Sequence, residues 1–127
     1  MNPRLAVVAV DIVLHARNGV GEGPFWDDRE QALWWTDITG NEVLRWQPSE
    51  TEPRRWHVPG FPCAVIARRS GGMVVARAAG LDFFEPETGR LTPFLAPEAD
   101  RPANRANEAK CDAAGRLWLG TMQSNLE

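Results

Sequence analysis

The chain has 127 residues, 43% of them apolar and 24% charged, with a net charge of −3. That is enough for one domain with its own core, in ordinary globular proportions. Acids and bases are mixed and no basic run appears, which argues against nucleic acid and against anionic membrane as partners.

The N-terminus carries Arg4 and then the apolar run LAVVAV, the outline of a signal peptide. Asp11 breaks that run, and no small-residue cleavage site follows. No stretch reaches the apolar length of a membrane span. A soluble, cytoplasmic protein is expected. Val8, Val10, Ile12 and Leu14 alternate at period two, which predicts a strand over residues 5–14.

Next comes GVGEGPFWDD. Gly21 and Gly23 flank Glu22 and free the backbone for close approach, while Pro24 fixes the entry into the following strand. Two readings stand here: a carboxylate aimed at a ligand, or a solvated turn. ALWWTDI and EVLRWQP follow, joined through Thr39, Gly40 and Asn41, and predict a hairpin. Beyond Cys63 the chain reads as strand, SGG turn, strand MVVARA, strand LDFFEP, ETG turn, strand LTPFLA. No helical stripe of useful length occurs, and ten prolines and eleven glycines punctuate the whole. The fold class is all-β.

A polar turn followed by an apolar strand recurs in DDREQALWWTD, RRSGGMVVARA and DAAGRLWLGTM. Leu33, Met73 and Leu117 are equivalent, as are Trp46 and Phe84. A unit returning about every 40 residues is the signature of a β-propeller blade; a β-sandwich is the alternative. The expected blades are residues 20–58, 62–96, and the start of a third over 104–127. Trp34, Trp46, Phe83, Phe84 and Trp118 are expected between blades. About three blades fall short of the four or more that close a propeller. The chain therefore reads as the N-terminal portion of a longer protein, or as one that self-associates through open blade edges. Cys63 and Cys111 are far apart, without CxxC or paired His spacing, so a zinc site of the Cys/His type is not expected and both thiols are expected buried.

The second polar cluster, NRANEAKCD, precedes the apolar strand of the third unit. Arg105 offers a fork of donors for a substrate oxygen, and Asn107 offers an amide oxygen to a metal or hydroxyl. Oxygen donors of this kind suit calcium, magnesium or manganese, with zinc and iron also open. The alternative is a polar loop in which Arg105 pairs with Glu108.

Taken in order, GEGPFWDDREQALWWTDITGNEVLRW and NRANEAKCDAAGRLWLGTM resemble the family of senescence marker protein 30 (regucalcin), gluconolactonases and related sugar lactonases, over about Val20 to Met122. The resemblance implies a six-bladed propeller with one divalent cation in its central channel, of which this chain spans about the first three blades. It implies hydrolysis of a small-molecule sugar lactone, with Glu22 as a metal ligand and Arg105 and Asn107 contacting substrate. The family's other metal ligands, an Asn and an Asp, and with the Asp its candidate general base, belong to later blades and are expected beyond residue 127. Where the family carries Asp-Gly after the Asn, this chain has Glu108 and Ala109. The function expected is a divalent-metal-dependent, gluconolactonase-like hydrolase. The alternative is a non-catalytic truncated propeller, or a half-propeller that must associate to close.

Overall fold

The computed structural model describes residues 8–124. Ten strands form three antiparallel sheets. The first sheet contains β1 (Gly21–Asp27), β2 (Ala32–Asp37), β3 (Glu42–Trp46) and β4 (Arg54–His57). The second contains β5 (Ala64–Ala67), β6 (Met73–Arg77), β7 (Gly80–Glu85) and β8 (Arg90–Leu95). The third contains β9 (Asn104–Cys111) and β10 (Leu117–Gln123). In each four-stranded sheet neighbours in sequence are neighbours in space. These are successive blades of a β-propeller, and no helix among the described residues is long and apolar enough to cross a membrane.

The repeat is visible in the pairing. Leu33 lies opposite Trp46, and Met73 lies opposite Phe84. The turn before each second strand needs a left-handed residue, supplied by Gln31 (φ 51°), Gly71 (φ 95°) and Gly115 (φ 81°). Glycine takes that conformation without steric penalty, and Gln31 does so as a non-glycine exception.

Alternation along the strands then sends side chains to opposite faces. Ala32, Trp34 and Val43 of the first sheet meet Val65, Met73, Val75 and Phe84 of the second in one buried cluster. Trp34 stacks on Trp56 with ring centres 5.4 Å apart, and Phe84 meets Trp56 edge-on at 5.8 Å. Val74, Ala76 and Leu81 pack against Ala106 and Ala109 of the third sheet, with Phe83 and Leu119 at the margin. Burial of large apolar side chains contributes about 1.5–3 kcal/mol each, so these two interfaces hold the sheets together.

Three expectations are corrected here. Trp46 pairs with Leu33 and shares its face with Trp35 and Leu44, so it points away from the second blade. Trp118 stands at the repeat position of Trp34 but is 64% exposed, against 1% for Trp34, because no described sheet lies on that side. Residues 8–14 form no strand, and residues 5–7 fall outside the described residues. The alternating pattern there finds no sheet edge to pair with. Val8, Val10 and Ile12 are exposed, while Leu14 and Ala16 lie on the Trp35–Leu44–Trp46 face and Arg55 donates to the Ala16 carbonyl at 2.8 Å.

Acidic caps order the turns. Hydrogen bonds from the Trp118 indole, then from the Arg116 backbone and guanidinium, bring the half-buried Asp112 carboxyl down to about 2. The Arg29 side chain likewise holds Asp27 below its ordinary value, against the opposing effect of burial. Folded-state values lie below the unfolded value of about 3.9, so these groups favour folding above that pH and lose the effect as pH falls through the folded values. Thermal melts are expected to be flat from neutrality to roughly pH 5 and to fall between roughly pH 4 and pH 2. Asp112→Asn should flatten part of that fall; an unchanged profile would refute the role of this cap.

Candidate active site

The first strands of the three sheets, β1, β5 and β9, are the inner ones: β5 contacts β1 on one side and β9 on the other. A side chain at Gly23 (φ +60°) would place its Cβ 3.2 Å from the Cys63 carbonyl, so glycine there lets β1 lie against the start of β5. The Ala106 amide donates to Ala78 at 3.1 Å and the Ala78 amide to Gly60 at 2.8 Å, which ties β9 to the second blade.

Two of these strands are bulged where the candidate residues sit. Glu22 pairs with Thr36 and Phe25 with Trp34, so Gly23 and Pro24 together face Trp35. Pro24 has no N–H to lose in that slot. In β9, Ala106 pairs with Thr121 and Glu108 with Gly120, which leaves Asn107 as the extra residue. A bulge bends its strand and re-aims the local side chains. Glu22, Asn107 and Glu108 are exposed and Arg105 is half-buried. By contrast β5 runs in regular register and carries only Ala, Val and Ile. The polar residues thus come from the first and third blades, on either side of an apolar second one.

Cys63, just before β5, is fully buried. Burial pushes its thiol up to about 11; the Arg105 charge opposes this, and the Glu108 and Glu22 charges add to it. At that value the thiol is protonated and inert as a nucleophile. Cys111, also expected buried, is exposed, because it ends β9 on an edge that β10 alone covers.

Arg105 lines a cleft of about 540 Å³ together with Asn104, Ile38, Phe61, Leu119 and Thr121. Glu22 and Asn107 are not part of that lining. The Arg105 guanidinium donates to the Ala106 carbonyl at 3.1 Å. No ion pair joins it to Glu108 among the described residues, so the expected alternative pairing is not formed. At the cleft wall, hydrogen bonds from Thr121 and then Asn104 hold the Glu98 carboxyl below its usual range.

Asp37 was not singled out from the sequence. It is buried and accepts from the amides of Gly19 (2.8 Å), Val20 (2.9 Å) and Gly40 (3.1 Å) and from the Asn18 side chain (3.3 Å). Burial raises this carboxyl, but the backbone donors outweigh it and leave the net shift downward. Asp37 thereby fixes the segment that leads into Glu22. The only sequence signal was an acid directly before the ITGN turn.

Glu22, Asn107 and Glu108 offer oxygen donors, the chemistry a hard divalent cation requires. Their number does not suffice: no group of three or more His, Cys, Asp or Glu side chains able to hold a metal ion occurs among the described residues. The described residues therefore do not make a cation site by themselves.

Residues 20–127 match the family model described as SMP-30/Gluconolactonase/LRE-like region. The chain is 31% identical to regucalcin from Xenopus laevis over 122 residues, which cover 96% of this chain and 41% of that protein. It is 29% identical to L-arabinolactonase from Azospirillum brasilense, over 91% of this chain and 39% of that one. The crystal structure of a calcium-binding protein, regucalcin, from Agrobacterium tumefaciens superposes with a TM-score of 0.75 at 29% identity, over 82% of this chain and 35% of that chain. The chain thus spans about two-fifths of the length of the relatives it matches. With the family model spanning all three sheets, the chain belongs to the SMP-30/gluconolactonase/LRE-like family.

Proposed function

We propose that the protein to which these blades belong is a divalent-metal-dependent hydrolase that opens sugar lactones, acting in the cytoplasm. The observation that carries this reading is the placement of Glu22 and Asn107 at bulges in the first and third inner strands, with Arg105 in the adjoining cleft.

Glu22 is one ligand of the cation in this reading, which leaves the ion open among calcium, zinc, manganese, magnesium and iron. The remaining ligands and the general base come from the part of the relatives' length that this chain does not span. A divalent cation bound there supplies Lewis acidity toward an ester carbonyl. Arg105 presents a rigid fork of donors and orients the oxygens of the lactone. Asn107 offers a donor and an acceptor to hydroxyls of the same ring. In the reaction, the oxygen of water adds to the lactone carbonyl carbon, the ring C–O bond breaks, and an aldonate, a hydroxyl and a proton result.

The test is proton release from D-glucono-δ-lactone and L-arabinono-γ-lactone, with and without a chelator. Chelator-sensitive release is expected, with kcat/KM lowered roughly 10- to 100-fold in Arg105→Ala. Release that neither the chelator nor the substitution alters would defeat the proposal. A second reading is a non-catalytic piece that closes by association, favoured by the exposed Trp118 on the uncovered side of the third sheet. A monodisperse monomer in sedimentation velocity would count against it.

A further inference from the structure

We propose that Phe61 is a specificity-determining residue: an aromatic platform on which the C–H face of a sugar-lactone ring stacks, in the cleft that holds Arg105. The proposal rests on the lactonase reading and deepens it.

The backbone of Phe61 is left-handed, with φ 57°, and Pro62 follows it directly. That region crowds Cβ for every residue but glycine, and a bulky side chain there is an outlier. Glycine would be easier at this position, and Gly60 beside it also has a positive φ of 95°. The conformation persists because the loop is held from several sides. The Asn41 side-chain oxygen accepts from the amides of Gly60 (3.1 Å) and Phe61 (2.9 Å). The Asn41 carbonyl accepts from Val58 at 2.7 Å, and Gly60 accepts from Ala78 at 2.8 Å. Arg77 donates to Pro59 at 2.8 Å while its other nitrogens are fixed by the buried Asp82.

Packing does not explain the phenylalanine either, because Phe61 is 49% exposed. A strained, over-determined residue with an exposed apolar ring points to use rather than to architecture. The cleft gives that use a location, since Phe61 shares its lining with Arg105 and Thr121. A wall that is largely apolar with a few placed polar groups is the usual form of a small-molecule site. A lactone ring has the matching chemistry: an apolar face of C–H bonds and a rim of oxygens for Arg105.

The experiment compares the unaltered protein with Phe61→Gly and Phe61→Trp. It uses saturation-transfer NMR with 1,5-anhydro-D-glucitol, a sugar ring that carries no lactone carbonyl and does not react, alongside lactone hydrolysis and thermal melts. Transfer to the ring C–H protons is expected in the unaltered protein and in Phe61→Trp. In Phe61→Gly the Kd of this ring analogue and the lactone KM should rise about three- to tenfold with kcat little changed. The melting temperature of that variant should be unchanged or higher, because glycine relieves the strain. Unchanged binding, or a clear fall in melting temperature, overturns the platform. Binding that depends on Phe61 without any lactone hydrolysis sustains the platform and overturns the lactonase reading. No binding of the ring analogue or of lactone by the unaltered protein overturns both.

Discussion

Phe84→Ala is expected to cost about 3–5 kcal/mol and to bring the denaturant midpoint down accordingly. Native domains hold only about 5–15 kcal/mol in total, so this single change consumes a large share of the stability. Phe84 is fully buried and meets Trp56 edge-on, within the cluster that joins the first blade to the second. Removing the ring leaves a cavity between two sheets whose own hydrogen-bonded ladders cannot shift to fill it. Trp118→Ala is the informative control. As a 64% exposed residue whose indole donates one hydrogen bond, to Asp112 at 3.0 Å, it should cost about 0.5–1.5 kcal/mol, well below Phe84. A cost for Trp118 comparable to that of Phe84 would show that another sheet covers it. An unchanged midpoint for Phe84→Ala would refute the interface.

Glu22→Gln is expected to lower kcat/KM for lactone hydrolysis on the order of 10²- to 10³-fold, as does the loss of one preorganised charge-stabilising group. The substitution keeps size and polarity and removes only the negative charge. Glu22 is exposed, and its backbone carbonyl, not its carboxylate, accepts from the Thr36 hydroxyl at 3.2 Å. The fold should therefore be indifferent, with melting unchanged. Calorimetric titration with a divalent cation separates the causes: affinity should fall with activity. Activity that survives Glu22→Gln would remove this residue from the site.

Most of the blade architecture was legible in the residues. Period-two apolar patterns and turn chemistry located the Thr39–Gly40–Asn41 hairpin, and aligning Leu33 with Met73 anticipated their equivalent partners, Trp46 and Phe84. The misplaced features depend on neighbours that one segment cannot report. Trp34 and Trp46 look alike in sequence, yet cross-strand register puts them on opposite faces. The Val8–Leu14 pattern is that of a strand, but a strand exists only against a partner. Glu22, Arg105 and Asn107 stood out by residue type. The bulges beneath Glu22 and Asn107 did not, because a bulge is a mismatch between two strands. Asp37 and Phe61 act through hydrogen bonds and a backbone angle that composition does not encode.

The pairing pattern also bears on how the chain acquires its structure. Among the described residues every ladder closes within one blade, and the widest joins Asn104 to Gln123. Side-chain contact and a few loop hydrogen bonds then connect one blade to the next. Such a chain approaches a one-dimensional array, in which each unit has its own stability and interacts only with adjacent units. Contacts this local favour rapid formation despite the all-β content. The first blade, with its Trp34 face bare, can form on the ribosome before Phe84 emerges to cover it. During synthesis at about 5–20 residues per second, that face stays uncovered for seconds, a window in which chaperone capture competes with docking of the second blade.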